Sequence, residues 1–232
     1  MATILLIETA TPICSVAIEK DGKILSECTS SEANSHSSKL STLIEELMRN
    51  TQTEYNQLDA VCVSSGPGSY TGLRIGVSTA KGLCYALDIP LLAINTLQNI
   101  ALGYLMQHHD TNSLICPMID ARRMEVYAAI FDKDGNTVRP TTADIVTETT
   151  YDQWLNENPI CFIGDGAAKT KPILEPKENV SFDTTFQISA KGMTVLAEKK
   201  FNNKEFENLA YFEPFYLKDF VAHKPNVKGL NI

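Results

Sequence analysis

Residues Val61 to Gly82 read V-C-V-S-S-G-P-G-S-Y-T-G-L-R-I-G-V-S-T-A-K-G. A β-branched strand enters a Gly-Pro-Gly-Ser loop and leaves it as a helix. Gly66 and Gly68 allow backbone angles closed to other residues, Pro67 stiffens the turn, and Ser69 or Thr71 caps the helix. Free amides at such a helix start converge on one point, the arrangement that attracts anions. No Gly-Lys-Ser/Thr follows the glycines, and the spacing is not G-x-G-x-x-G, so neither a P-loop nor a dinucleotide fingerprint is present. The loop is therefore read either as an anion cradle or as a plain structural turn. In the helix, Gly72, Gly76 and Ala80 fall four apart and share one face, where another backbone can approach closely. That smooth face packs either inside its own domain or on a helix of another chain.

On the N-terminal side of this stretch, Ile4 to Ile7, Cys14 to Ile18 and Lys23 to Cys28 read as a three-strand meander with a turn at Asp21-Gly22. Leu40, Leu43, Ile44, Leu47 and Met48 then recur at helical spacing, with Ser35 to Ser38 offering caps. Beyond the opening stretch, Pro90 to Ile94 reads as a strand and Thr96 to about His109 as a helix. The plan then restarts. Leu114 to Asp120 and Glu125 to Phe131 are strands, Asp134-Gly135 is a turn, and a weak strand follows near Thr137. A short helix at Tyr151 to Asn156, a strand at Ile160 to Ile163 and a helix from Gly166 to about Leu174 complete it. Helix is further expected over Lys191 to Asn202 and, around Pro214, over Leu209 to Leu217, with a polar tail after Lys218. Two meanders, each followed by alternating helices and strands, predict an α/β chain with a duplicated ribonuclease-H-like, actin-like fold. The expected lobes are residues 1–110 and 111–232, each a mixed β-sheet with flanking helices.

The chain has 232 residues, 44% hydrophobic and 21% charged, enough for a sizeable core. A net charge of −8 argues against an extended nucleic-acid surface on this chain alone. The N-terminal Met-Ala-Thr-Ile-Leu-Leu-Ile-Glu lacks a basic start and its apolar run is too short for a membrane span, which predicts a cytoplasmic protein. The six cysteines form no C-x-x-C pair and read as buried, reduced thiols.

Four motifs now converge: I-E-T-A at Ile7 to Ala10, S-S-G-P-G-S-Y-T-G-L-R-I-G at Ser64 to Gly76, M-I-D-A-R at Met118 to Arg122, and E-P-F-Y-L at Glu213 to Leu217. In this order over nearly the whole chain, they resemble the TsaB (YeaZ) family of bacterial threonylcarbamoyladenosine proteins. The resemblance implies the actin-like ATPase fold and a part in making N6-threonylcarbamoyladenosine at position 37 of tRNAs that read codons beginning with A. It also implies a non-catalytic role. The chemistry would belong to a TsaD-like catalytic subunit, with a TsaE-like ATPase and a TsaC-like protein supplying ATP hydrolysis and the activated adenylate.

The residues test whether a catalytic site is retained. A TsaD-like metal centre needs two histidines four apart on one helix, whereas here Leu40 stands four after His36. His108 and His109 are adjacent, and His223 lies in the tail, so no metal site is expected. Nucleotide binding in this fold needs glycine-rich hairpins in both lobes. The first hairpin reads Glu8-Thr9-Ala10-Thr11-Pro12 and the second Asp120-Ala121-Arg122-Arg123, without a glycine in either. Gly164-Asp165-Gly166-Ala167-Ala168 is read as the remnant of an adenosine-binding turn or as an ordinary strand-to-helix turn. No cofactor is expected on the isolated chain. Glu8 and Asp120 open the two hairpins, either as an acid pair across a cleft or as acids that each order their own loop.

Two functional classes follow. In the first, the chain is an accessory subunit that docks on its TsaD-like partner through Leu40, Leu43, Leu47, Gly72, Gly76 and Ala80, pairs with itself when alone, and meets tRNA through the complex. On that reading Gly76→Leu blocks docking and spares the fold. In the second, it is a stand-alone ATPase or phosphotransferase. A glycoprotease-like peptidase finds no Ser-His-Asp or Cys-His arrangement here.

Overall fold

The computed structural model describes residues 2–32 and 36–218. Ser35, His223 and the tail beyond Lys218 lie outside them. Ten strands form two five-stranded sheets. The first contains β1 (Thr3–Glu8), β2 (Cys14–Lys20), β3 (Lys23–Ser30), β4 (Ala60–Gly66) and β5 (Leu91–Asn95) in the order β3-β2-β1-β4-β5. The second contains β6 (Leu114–Asp120), β7 (Glu125–Phe131), β8 (Thr137–Ile145), β9 (Ile160–Ile163) and β10 (Val180–Asp183) in the matching order β8-β7-β6-β9-β10. In each, the first three strands pair antiparallel and the last two join parallel, as meanders and helical crossovers require. Identical order and polarity in both halves make this the duplicated ribonuclease-H-like, actin-like fold.

The helices are α1 (His36–Thr51), α2 (Tyr70–Leu87), α3 (Thr96–Leu105), α4 (Asp152–Leu155), α5 (Ala167–Leu174) and α6 (Thr194–Asn202). Alternation along β1 sends Leu5 and Ile7 to a core shared with α1 and α2, and Ile4 and Leu6 to the opposite face. That opposite face is covered by Ala190, Met193 and Ala197, which belong to a 3₁₀ turn and α6 of the second half. The exchange is reciprocal. Leu97, Ile100, Ala101 and Tyr104 of α3, from the first half, pack on Ile115, Ile119, Ala129 and Phe131 of the second sheet. Helices α4 and α5 cover the other side of that sheet around Tyr151 and Phe162. The last helix of each half thus closes the core of the other half.

Three expectations are corrected. Residues 209–217 are not helical but form a strap over α2. The Asn208 side chain accepts from the amides of Ala210 and Tyr211, a local turn that diverts the backbone from helix, and Lys81 holds the carbonyls of Ala210 and Phe212. The amide of Phe215 donates to the Ser65 carbonyl at 2.7 Å, so the strap ends beside the Gly66–Pro67 turn. The helix expected to reach His109 ends at Leu105. The edge strand β10 had no counterpart in the sequence reading.

The partner-facing set requires the third correction. Leu40, Leu43 and Leu47 are buried in the chain's own core, where α1 packs on β2 and β3. Gly72, Gly76 and Ala80 are buried too. A Cβ built on Gly76 would fall 2.2 Å from the Thr9 hydroxyl oxygen, and one on Gly72 would fall 2.0 Å from the Thr9 carbonyl oxygen. The smooth face of α2 receives the chain's own β1–β2 loop, so the close approach it permits is intramolecular.

Candidate functional site: the interlobe cleft and the outer face of α2

A cleft of about 780 Å³ lies between the halves. The β1–β2 loop (Ala10, Thr11, Pro12), the β4–α2 loop (Pro67 to Gly72), the β6–β7 loop (Asp120 to Arg122) and the end of the strap (Phe215 to Lys218) line it. In a two-lobed fold of this kind these loops are where a ligand would meet the chain. Several of their polar groups are already engaged within the chain.

Glu8 sits at the end of β1, fully buried, and does not line the cleft. One carboxylate oxygen accepts from the Ala10 amide at 2.7 Å; the other accepts from the Asn99 side chain at 2.6 Å and from the Ser64 hydroxyl. The Thr9 amide adds a further bond. Burial pushes the Glu8 carboxyl above its ordinary range despite these donors. The first loop's amides therefore close on the chain's own carboxylate, in the place where a phosphate-binding hairpin would close on a ligand. The next groups are used as well: the Ala10 carbonyl accepts from the Ser69 amide at 2.6 Å, and Thr9 donates its hydroxyl to the Gly72 carbonyl at 2.8 Å.

Asp120 repeats the first step in the second half. Its carboxylate accepts from the Arg122 amide at 2.7 Å, two residues on, as Glu8 does from Ala10. It also pairs with Lys169; burial alone would raise its pKa, but Lys169 and the Arg122 amide hold it below the usual carboxylate range. Asp165 accepts from the Asp120 amide at 3.1 Å, and Gly166 presses its backbone against Met118 and Ile119, so the Gly164–Ala168 segment is a strand-to-helix turn bound to β6. Each acid orders its own loop, and the structure does not bring Glu8 and Asp120 together as an acid pair.

The histidine arrangement does not fit a metal. The Nε2 of His36 lies 2.9 Å from the Thr11 carbonyl, and Leu40, four residues on, points into the core. Among the described residues no group of three His, Cys, Asp or Glu is placed to hold an ion. All six cysteines are buried and unbridged, and burial pushes Cys14 and Cys84 up to about 11. No helix among the described residues is long and apolar enough to cross a membrane.

The side of α2 turned away from the core has a different character. Arg74, Ser78, Gly82, Tyr85 and Ala86 are exposed along it, and a Cβ on Gly82 would meet nothing within 4 Å. Ser78, Gly82 and Ala86 are spaced four apart, a second small-residue row that the sequence reading did not single out. Tyr85 is 83% exposed and Tyr211 of the strap 84% exposed, values that stand out for aromatic side chains. On α1, Ser41, Thr42, Glu45 and Arg49 face solvent.

The model of the family described as "TsaD: tRNA N6-adenosine threonylcarbamoyltransferase" matches residues 23–229. The tRNA threonylcarbamoyladenosine biosynthesis protein TsaB of Bacillus subtilis is 29% identical over 75% of this chain and 75% of its own length. The Escherichia coli protein of the same name is 28% identical over 95% of this chain and 96% of its own. Among solved structures, YeaZ from Pseudomonas aeruginosa superposes with a TM-score of 0.79 at 25% identity, covering 94% of this chain and all of that one. With a matched fold, relatives matched over nearly the whole chain and a family model spanning most of its length, the chain belongs to the TsaD family, in its TsaB (YeaZ) branch.

Proposed function

We propose that this chain is a non-catalytic subunit required for N6-threonylcarbamoyladenosine formation at position 37 of tRNAs reading ANN codons, and that it acts by docking on a TsaD-like catalytic subunit. The observation that carries the reading is Glu8: its carboxylate occupies the first loop's amides, which a nucleotide-handling relative would turn to phosphate. His36, bonded to Thr11 with Leu40 in the second ligand position, supports the same conclusion. ATP is then used by the complex, through a TsaE-like ATPase, and tRNA is met through the complex. The net charge of −8 supports a chain that leaves phosphate binding to its partners.

The docking face in this reading is the solvent side of α1 and α2, centred on Ser78, Gly82 and Ala86, where small side chains admit a partner helix. In the absence of the partner the same face pairs two copies of the chain. The test is reconstitution of the modification from purified components with and without this chain. A stand-alone ATPase instead predicts ATP turnover by the chain with magnesium alone.

A further inference from the structure

We propose that Arg74 is a preformed docking point for a carboxylate of the partner protein, held ready at the exposed junction of α2 and the strap. The inference rests on the partner-docking reading above and names the chemistry that the partner must bring to it.

Arg74 is exposed, yet its guanidinium is not loose. Its central carbon lies 4.1 Å from the centroid of the Tyr70 ring and 6.0 Å from that of Tyr216. The two rings lie 5.0 Å apart, and Nε donates to the Tyr216 hydroxyl at 3.2 Å. Two tyrosines, one from the start of α2 and one from the strap, thus fix the plane of the guanidinium. The Nε edge is occupied by the tyrosine. The terminal Nη groups make no ion pair among the described residues; Glu213 is near enough to be felt but does not close one.

A planar fork with fixed orientation and unspent N–H groups matches a carboxylate in bidentate fashion. Fixing it beforehand removes part of the ordering cost of binding. Arginine and tyrosine clustered on one exposed patch are also the residue types that dominate protein interfaces. A phosphodiester backbone fits less well, because it needs a basic track. The other cation on this helix, Lys81, is turned onto the carbonyls of Ala210 and Phe212, so α2 itself presents no basic track beside Arg74.

Titration calorimetry of the full chain against the purified TsaD-family subunit tests this. Arg74→Glu is expected to weaken binding at least about tenfold, and Arg74→Lys to fall between it and the parent, because an ammonium supplies the charge without the fork. Binding of Arg74→Glu within twofold of the parent overturns the inference. So does unchanged protein affinity with loss of tRNA retention by the assembled pair, which would assign Arg74 to phosphate. Gly82→Trp separates the levels: if it abolishes docking while Arg74→Glu docks normally, only this inference fails, and if both dock normally the α2 docking face fails too.

Discussion

The Thr9 side chain lies against the Cα of Gly76, with its hydroxyl oxygen where a β-carbon would have to go and its proton donated to the Gly72 carbonyl. One threonine therefore fastens the β1–β2 loop to the first two turns of α2. Gly76→Leu is expected to destabilise the chain by about 3 kcal/mol or more, since the new side chain must displace both the threonine and the loop. Urea unfolding measures it directly. A Gly76→Leu chain as stable as the parent would mean that the helix face is open after all.

Gly82 gives the opposite expectation. With nothing near its missing Cβ, Gly82→Trp leaves the fold at parental stability or slightly above it, because glycine costs about 1 kcal/mol inside a helix. The same substitution projects a large ring from the centre of the proposed docking face and is expected to abolish co-elution with the TsaD-like subunit. Size-exclusion chromatography of the mixed proteins, together with a melting curve, reads both effects.

The two glycines show what was legible in the sequence. The strand and helix order of both halves followed from alternation and helical periodicity, and β6, β7 and β9 keep the bounds read from them. Which side of α2 faces out was also legible, though the four-residue spacing of Gly72, Gly76 and Ala80 drew attention away from it. Leu73, Val77 and Cys84 flank those positions and mark that arc as interior, while Arg74, Ser78 and Tyr85 mark the exposed one. Other features were not local. The exchange of α3 and α6 between sheets depends on contacts between residues far apart in the chain, and the strap follows from one Asn208 turn that overrides a helical pattern. That Glu8 occupies its own loop's amides required knowing that Ser64 and Asn99 lie beside it.

In the second half, Arg139 and Asp144 form a bidentate pair at 2.6 Å for each bond, joined by the hydroxyls of Thr142 and Tyr151 at 2.9 Å. Burial would raise the Asp144 pKa, but the Arg139 fork holds it below the ordinary range. Asp144→Ala leaves the guanidinium buried without its counter-charge and is expected to cost about 3–5 kcal/mol. Replacing both residues by apolar ones of similar size is expected to cost much less. Chemical denaturation of the single and double variants tests the contrast.

Glu19 supplies a pH dependence. It is buried at the end of β2, with one oxygen accepting from the Gly22 amide at 3.0 Å and the other unpartnered among the described residues. Burial, reinforced by Glu198 and Asp21, pushes its pKa up to about 7 from the 4.5 of an unperturbed glutamate. The folded chain thus holds a proton that the unfolded chain releases earlier. Stability from this group is complete below about pH 4.5 and is lost as the pH rises through 7. Glu19→Gln is therefore expected to be more stable than the parent by about 1–2 kcal/mol at pH 8 and to match it near pH 4.5. Equal urea midpoints at pH 8 would show that Glu19 ionises freely in the fold.

The central claim is that this chain enables chemistry performed by its partner. Reconstitution of tRNA modification measures it most directly, with threonine, bicarbonate, ATP, unmodified tRNA and the purified proteins, scoring N6-threonylcarbamoyladenosine in digested tRNA. Full product is expected with all proteins present, none when this chain is omitted, and none from this chain alone. Product at an undiminished rate without it, or product from it without the TsaD-like subunit, would contradict the account.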